Sequence, residues 1–145
     1  ANYYHIAPAL VWKGLTATVA YEVLGSDNSK ASFRTPLATL HKWNGWADKF
    51  LTTPAAGLQD FYVDLTYKVN GLGENFSLLN GILTKFQYHD FSADDTGADY
   101  GKEWGLFAKK ALNDHVTVSA KYANYKADTV SVDTQKLTFD VGIKF

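Results

Sequence analysis

The sequence predicts an all-β fold: an antiparallel up-and-down transmembrane β-barrel, with about seven strands in this chain. It would be part of a larger barrel or be completed by other chains. Three observations predict it. The chain carries long stretches in which apolar and polar residues alternate, the period of a strand with two unlike faces. The stretches exceed the roughly 5 or 6 residues usual for soluble strands and match the about 9 to 11 needed by a tilted strand crossing a bilayer. The connections alternate between long and mostly short, as in an up-and-down barrel with loops at one end and turns at the other.

The stretches are 3–12, 15–24, 58–69, 78–91, 100–112, 116–125 and 134–145. In the last, Leu137, Phe139, Val141, Ile143 and Phe145 fall on one face, and Lys136, Thr138, Asp140, Gly142 and Lys144 on the other. The third sets Phe61, Val63, Leu65, Tyr67 and Val69 against Asp60, Tyr62, Asp64, Thr66 and Lys68. The second and sixth repeat the pattern. The fourth and fifth are less regular. They place Ile82, Phe86, Tyr88, Trp104 and Leu106 outward, and Lys85, Gln87, His89, Glu103 and Lys109 inward. In the first, Tyr4, Ile6, Leu10 and Trp12 are expected to face lipid. Lys13-Gly14, Asn70-Gly71 and Asn113-Asp114 supply turn residues that tolerate positive φ. The whole chain, 1–145, reads as one barrel segment with a long extracellular loop at 25–57.

Composition narrows the function. Hydrophobic residues make up 46% and aromatic residues 15% of the chain, so it is not disordered by composition. The net charge is −1 and only Arg34 is arginine, which argues against a nucleic-acid partner. With no cysteine, disulfides, thiolate metal sites and cysteine nucleophiles are excluded. His5, His41, His89 and His115 lack metal-ligand spacing, and no phosphate-binding or hydrolase motif is present. His89 and Asp90 are adjacent on one strand and point to opposite faces, so they cannot serve one serine together. No catalytic residue, metal or cofactor is expected.

The segment 34–50, RTPLATLHKWNGWADKF, resembles the long loop of porins of the alginate export family. Segments 53–62, 88–93 and 98–104 continue the resemblance, and 136–145 looks like the C-terminal signal read by the barrel-assembly machinery through Phe145. The resemblance implies an outer-membrane porin in the bacterial cell outer membrane, giving passive passage of a small or polyanionic solute. It also implies outer-membrane lipid and lipopolysaccharide, the assembly machinery, and the remaining strands of the barrel or other copies of the chain as partners. On this reading Lys68, Lys85, Lys109, Lys121, Lys136, Lys144, Glu22, Asp64, Glu103 and Asp140 face the lumen and the solute. Arg34, His41, Lys42, Trp43, Trp46 and Lys49 belong to a constriction loop, in which Leu37, Leu40, Trp43 and Ala47 have the spacing of a short helix.

Each feature has a plainer reading. The lysines would pair with neighbouring carboxylates, and the loop tryptophans would pack locally on the rim. Asp90, Asp94, Asp95, Asp99, Asp128 and Asp133 read as solvated acidic loops rather than a calcium site. Two other functions stand beside the porin: a structural β-barrel or tube subunit assembled from several chains, and a soluble sugar-binding β-protein.

Overall fold

The computed structural model describes residues 2–35, 39 and 42–145. Ten strands are found among them: β1 (Tyr3–Ile6), β2 (Ala9–Trp12), β3 (Leu15–Leu24), β4 (Ser26–Asp27), β5 (Ala31–Ser32), β6 (Leu58–Lys68), β7 (Leu83–Ser92), β8 (Asp99–Ala111), β9 (Val116–Ala127) and β10 (Thr134–Ile143). A 3₁₀ helix, Glu74–Leu79, precedes β7 and takes up the start of the stretch expected to be strand from residue 78. The first expected strand is split, because Ala7 and Pro8 interrupt the ladder between β1 and β2 and proline has no N–H to donate. β4 and β5 form a small hairpin of their own.

The other eight strands form one antiparallel sheet. Its order is β1-β3-β6-β7-β8-β9-β10, with β2 also pairing with β3. Register aligns like residues into rows across the strands. Leu10, Ala17, Leu65, Phe86, Leu106, Tyr122 and Leu137 lie in one row. Trp12, Leu15, Tyr67, Thr84, Ala108, Ala120 and Phe139 lie in the row beside it. Both rows are on the apolar face. Leu10, Trp12, Leu65, Tyr67, Leu106, Leu137 and Phe139 in them are exposed. A contiguous apolar surface of this kind marks an interaction face rather than ordinary scatter.

The core lies on the opposite face, toward one end of the sheet. There the segment after β5 folds back, and Trp46, Ala47 and Phe50 pack with Leu24, Leu58, Phe91, Tyr100, Ala123 and Tyr125. Phe50 lies 4.5 Å from Phe91 and 5.9 Å from Tyr100, ring centre to ring centre. Such aromatic pairs add about 1 kcal/mol each beyond the area they bury.

These findings correct the expected fold. The sheet is open: β1 and β2 at one end and β10 at the other do not pair with each other. The strands therefore enclose no lumen, and the transmembrane β-barrel is replaced by a single open sheet with a loop folded on its polar face. The porin function, the outer-membrane location, and the lipid, lipopolysaccharide and assembly-machinery partners all rested on closure and fall with it. Within this chain the ladder supplies no pairing that would close a barrel. The physical reason for the misreading is that period-2 alternation records two unlike faces and nothing more. A sheet with an exposed apolar face and a loop-covered polar face writes the same pattern as a barrel wall. Among the described residues no helix is long and apolar enough to cross a membrane.

Candidate functional site

The polar face is built in rows as regular as the apolar one. Ala20, Tyr62, His89, Glu103, Tyr125 and Thr134 share a row. The next holds Thr18, Asp64, Gln87, Gly105, Ala123 and Lys136. The returning segment 42–50 lies over these two rows, and two carboxylates and a lysine of the sheet meet it. Asn44 donates its side-chain amide to Glu22 at 2.9 Å. The backbone N–H groups of Trp46 and Ala47 donate to the two oxygens of Glu103 at 2.5 and 3.0 Å. Lys136 of β10 forms an ion pair with Asp48.

Glycine at two positions permits this close approach. Gly45 has φ +83°, and a Cβ there would stand 2.6 Å from the Glu103 carboxylate. Gly105 leaves a notch in β8 for the Trp46 ring, where a Cβ would come within 2.6 Å of the indole. Trp46 is further flanked by Phe107 at 6.2 Å and by the Lys121 ammonium at 5.5 Å. Burying this ring contributes about 2–3 kcal/mol.

Beneath the loop, His89 is stacked between Tyr62 at 5.1 Å and Phe91 at 5.3 Å. Its Nδ1 lies 2.9 and 3.0 Å from the two oxygens of Asp60. A carboxylate accepts there, so Nδ1 carries a proton and donates it, which leaves Nε2 as the ring's second polar atom. His89 Nε2 is buried and has no hydrogen-bond partner among the described residues. Asp64 accepts from Gln87 at 2.8 Å and from Thr66 at 2.9 Å, and pairs with Lys85 at 2.5 Å. Tyr62 and His5 join at 3.0 Å. These groups surround a cavity of about 350 Å³ lined by Thr16, Thr18, Trp43, Asp64, Gln87 and His89, among others. Its size is near the lower end of small-molecule sites, roughly 300–1,000 Å³.

The residues singled out in the sequence separate into three groups. Glu22, Asp64, Lys85, Glu103, Lys121 and Lys136 come together at the loop and cavity. Trp43 and Trp46 line the cavity with Lys42, whose ammonium is 4.6 Å from the Trp43 ring centre. Lys49 lies 5.9 Å from the Tyr125 ring centre. Lys68, Lys109, Asp140 and Lys144 are exposed elsewhere on the sheet, and Arg34 is exposed outside the cavity. His41, Leu37 and Leu40 lie outside the described residues, and over 42–50, which are described, turns and bends stand where the short helix was expected. Asp94 and Asp95 accept hydrogen bonds from Ser26 and Ser29, and Asp90 pairs with Lys102, so these acidic residues serve loop and strand contacts. Sequence reasoning missed Asp60, Tyr62, Gln87 and His89 as site residues. Their shared polar-face parity was visible, but their convergence under the loop was not.

Burial raises the Glu103 carboxyl above the usual carboxylate range; the N–H groups of Trp46 and Ala47 and the nearby His89 oppose the shift without cancelling it. The phenols of Tyr3, Tyr62 and Tyr125 are pushed up to about 12, in each case first by burial. For Tyr3 and Tyr62 the Glu22 carboxylate adds to it. A raised phenol favours the neutral form in the folded state. Its stabilisation is complete below the unfolded value of about 10 and is lost as pH rises from there toward 12. The melting temperature is therefore expected to hold steady to about pH 10 and then fall steeply, with a shallower fall in Tyr62→Phe. Thermal melts followed by circular dichroism from pH 8 upward would check this, and equal slopes for the two proteins would contradict it.

Comparison with family models, with curated proteins and with solved structures returns no match. The expected membership of the alginate export porins is accordingly corrected, on this result and on the open sheet. The residues that carried that resemblance have local work to do here. Trp43, Asn44, Gly45 and Trp46 are the ones that fit the returning loop to Glu22, Glu103 and Gly105.

Proposed function

We propose that this chain binds a small carbohydrate in the cavity between segment 42–47 and the polar face of the sheet. The observation that carries the reading is a buried, unpartnered His89 Nε2 in the lining of a cavity of about 350 Å³. A buried polar atom without a partner is costly, and a ligand hydroxyl, which can both donate and accept, would remove that cost by pairing with it. The rest of the lining suits the same chemistry. Trp43, Trp46 and Tyr62 offer aromatic surface to the C–H faces of a sugar ring, while Thr16, Thr18, Thr66 and Gln87 offer hydroxyl and amide groups to its oxygens. Mixed donors and aromatic surface favour a polyol over a purely apolar or purely ionic ligand. The reading is one of binding, with no reaction assigned.

Titration calorimetry with neutral hexoses and with glucuronate is the test. Saturable binding is expected, weakened about tenfold, or roughly 1.4 kcal/mol, by Trp43→Ala at the cavity rim. Binding should also shift the His89 ring resonances in the NMR spectrum. No saturation with any of these sugars at about 100 mM, near the practical limit where binding falls below roughly 1.4 kcal/mol, would reject the proposal.

A further inference from the structure

The two ends of the open sheet are not equivalent. The β1 and β2 end is interrupted by Ala7-Pro8, and Pro8 lacks a donor. The β10 end is an unbroken strand, Thr134–Ile143, without proline. It pairs with β9 on one side, and its other edge has no neighbour in the sheet. Its apolar side chains are open to solvent: Phe139 is 73% exposed and Leu137 60%. A long, regular, uncapped edge is a template for another strand.

The topology selects the partner strand. Every neighbouring pair in the sheet is antiparallel. Counting across the order, β1, β2 and β10 run in the same direction. With the apolar faces of both copies on one side, a second copy can therefore continue the antiparallel sheet at β10 only through its own β10. A two-fold axis normal to the sheet generates that pair and keeps the apolar faces of both copies on one side.

Side chains select the register. With the axis at Thr138, Lys136 faces Asp140 of the second copy and Leu137 faces Phe139, and both pairs occur twice by symmetry. Opposite charges and apolar pairs placed directly across strands stabilise a ladder by about 0.2–1 kcal/mol each. With the axis at Asp140, that aspartate faces itself and Lys136 faces Lys144, which is repulsive. Lys136 already meets Asp48 of its own chain, so in the dimer it sits between two carboxylates.

We infer that this protein forms a two-fold dimer by antiparallel pairing of β10 with β10, in the register centred on Thr138. The pair is finite and self-complementary, unlike a ring of copies closing a barrel. It does not depend on the carbohydrate reading, and sugar titration does not bear on it.

The chain has no cysteine, so single cysteines report the register directly. Antiparallel partners have Cα atoms about 4.5–5.5 Å apart, within the disulfide range. The full chain, kept in mild detergent to mask its apolar face, is oxidised and run on a non-reducing gel. Thr138→Cys is expected to cross-link into a dimer, whereas Gln135→Cys, which faces position 141, is expected to stay monomeric. Asp140→Lys should raise the dimer dissociation constant at least tenfold in sedimentation equilibrium. Equal cross-linking at both positions, or a monomer at every concentration of the unmodified chain, would overturn the inference.

Discussion

His89→Phe is expected to destabilise the fold by about 3 kcal/mol, the cost of leaving a buried carboxylate without its hydrogen-bonding partner. Asp60 is 1% exposed and His89 3%. Both oxygens of Asp60 lie within 3.0 Å of His89 Nδ1, and the other contact to Asp60 is a long one from Asn44 at 3.4 Å. Phenylalanine keeps the stack between Tyr62 and Phe91, so the loss reports the polar contact rather than packing. Urea denaturation of the variant and the unmodified protein would measure it. The paired change Asp60→Asn with His89→Phe should recover part of the loss, because the charge is gone. If His89→Phe alone costs less than about 1 kcal/mol, the size of an ordinary neutral hydrogen bond, the buried pair is not what anchors this face.

Gly105→Val is the second large effect, expected at about 3 kcal/mol, near the upper end for overpacking. The added Cβ would sit 2.6 Å from the Trp46 indole. The loop that carries the ring is held down on the same strand by the bonds of Trp46 and Ala47 to Glu103. It cannot retreat without breaking them. Trp46→Ala by itself is expected to cost about 3–4 kcal/mol through the cavity it leaves. In the Trp46→Ala background the clash is absent, so adding Gly105→Val should cost little. This non-additivity is the signature to look for, since residues in contact couple and distant ones do not. Additive losses would show that Gly105 matters to the strand and not to the loop.

Much of the secondary structure was legible because strand faces are encoded locally. Alternation in 58–69 and 134–145 located β6 and β10, and parity alone places His89, Gln87 and Glu103 on one face. The loop was visible as a break in periodicity, and Trp43 and Trp46 stood out in it by size. The role of Gly105 was not legible, because a glycine in a strand has no local signature of the ring that fills its notch. Nor was the core. Phe91, Ala123 and Tyr125 lie on the face that the lysines and carboxylates had marked as wet.

By itself the sequence determined which residues share a face and roughly where the long strands lie, since a two-residue period is a property of the extended backbone. Tertiary structure alone decided whether the sheet closes, which face the loop covers, and that Asp60, His89 and Glu103 meet the loop at one place. Those outcomes depend on contacts between residues far apart in the chain, and alternation carries no information about them.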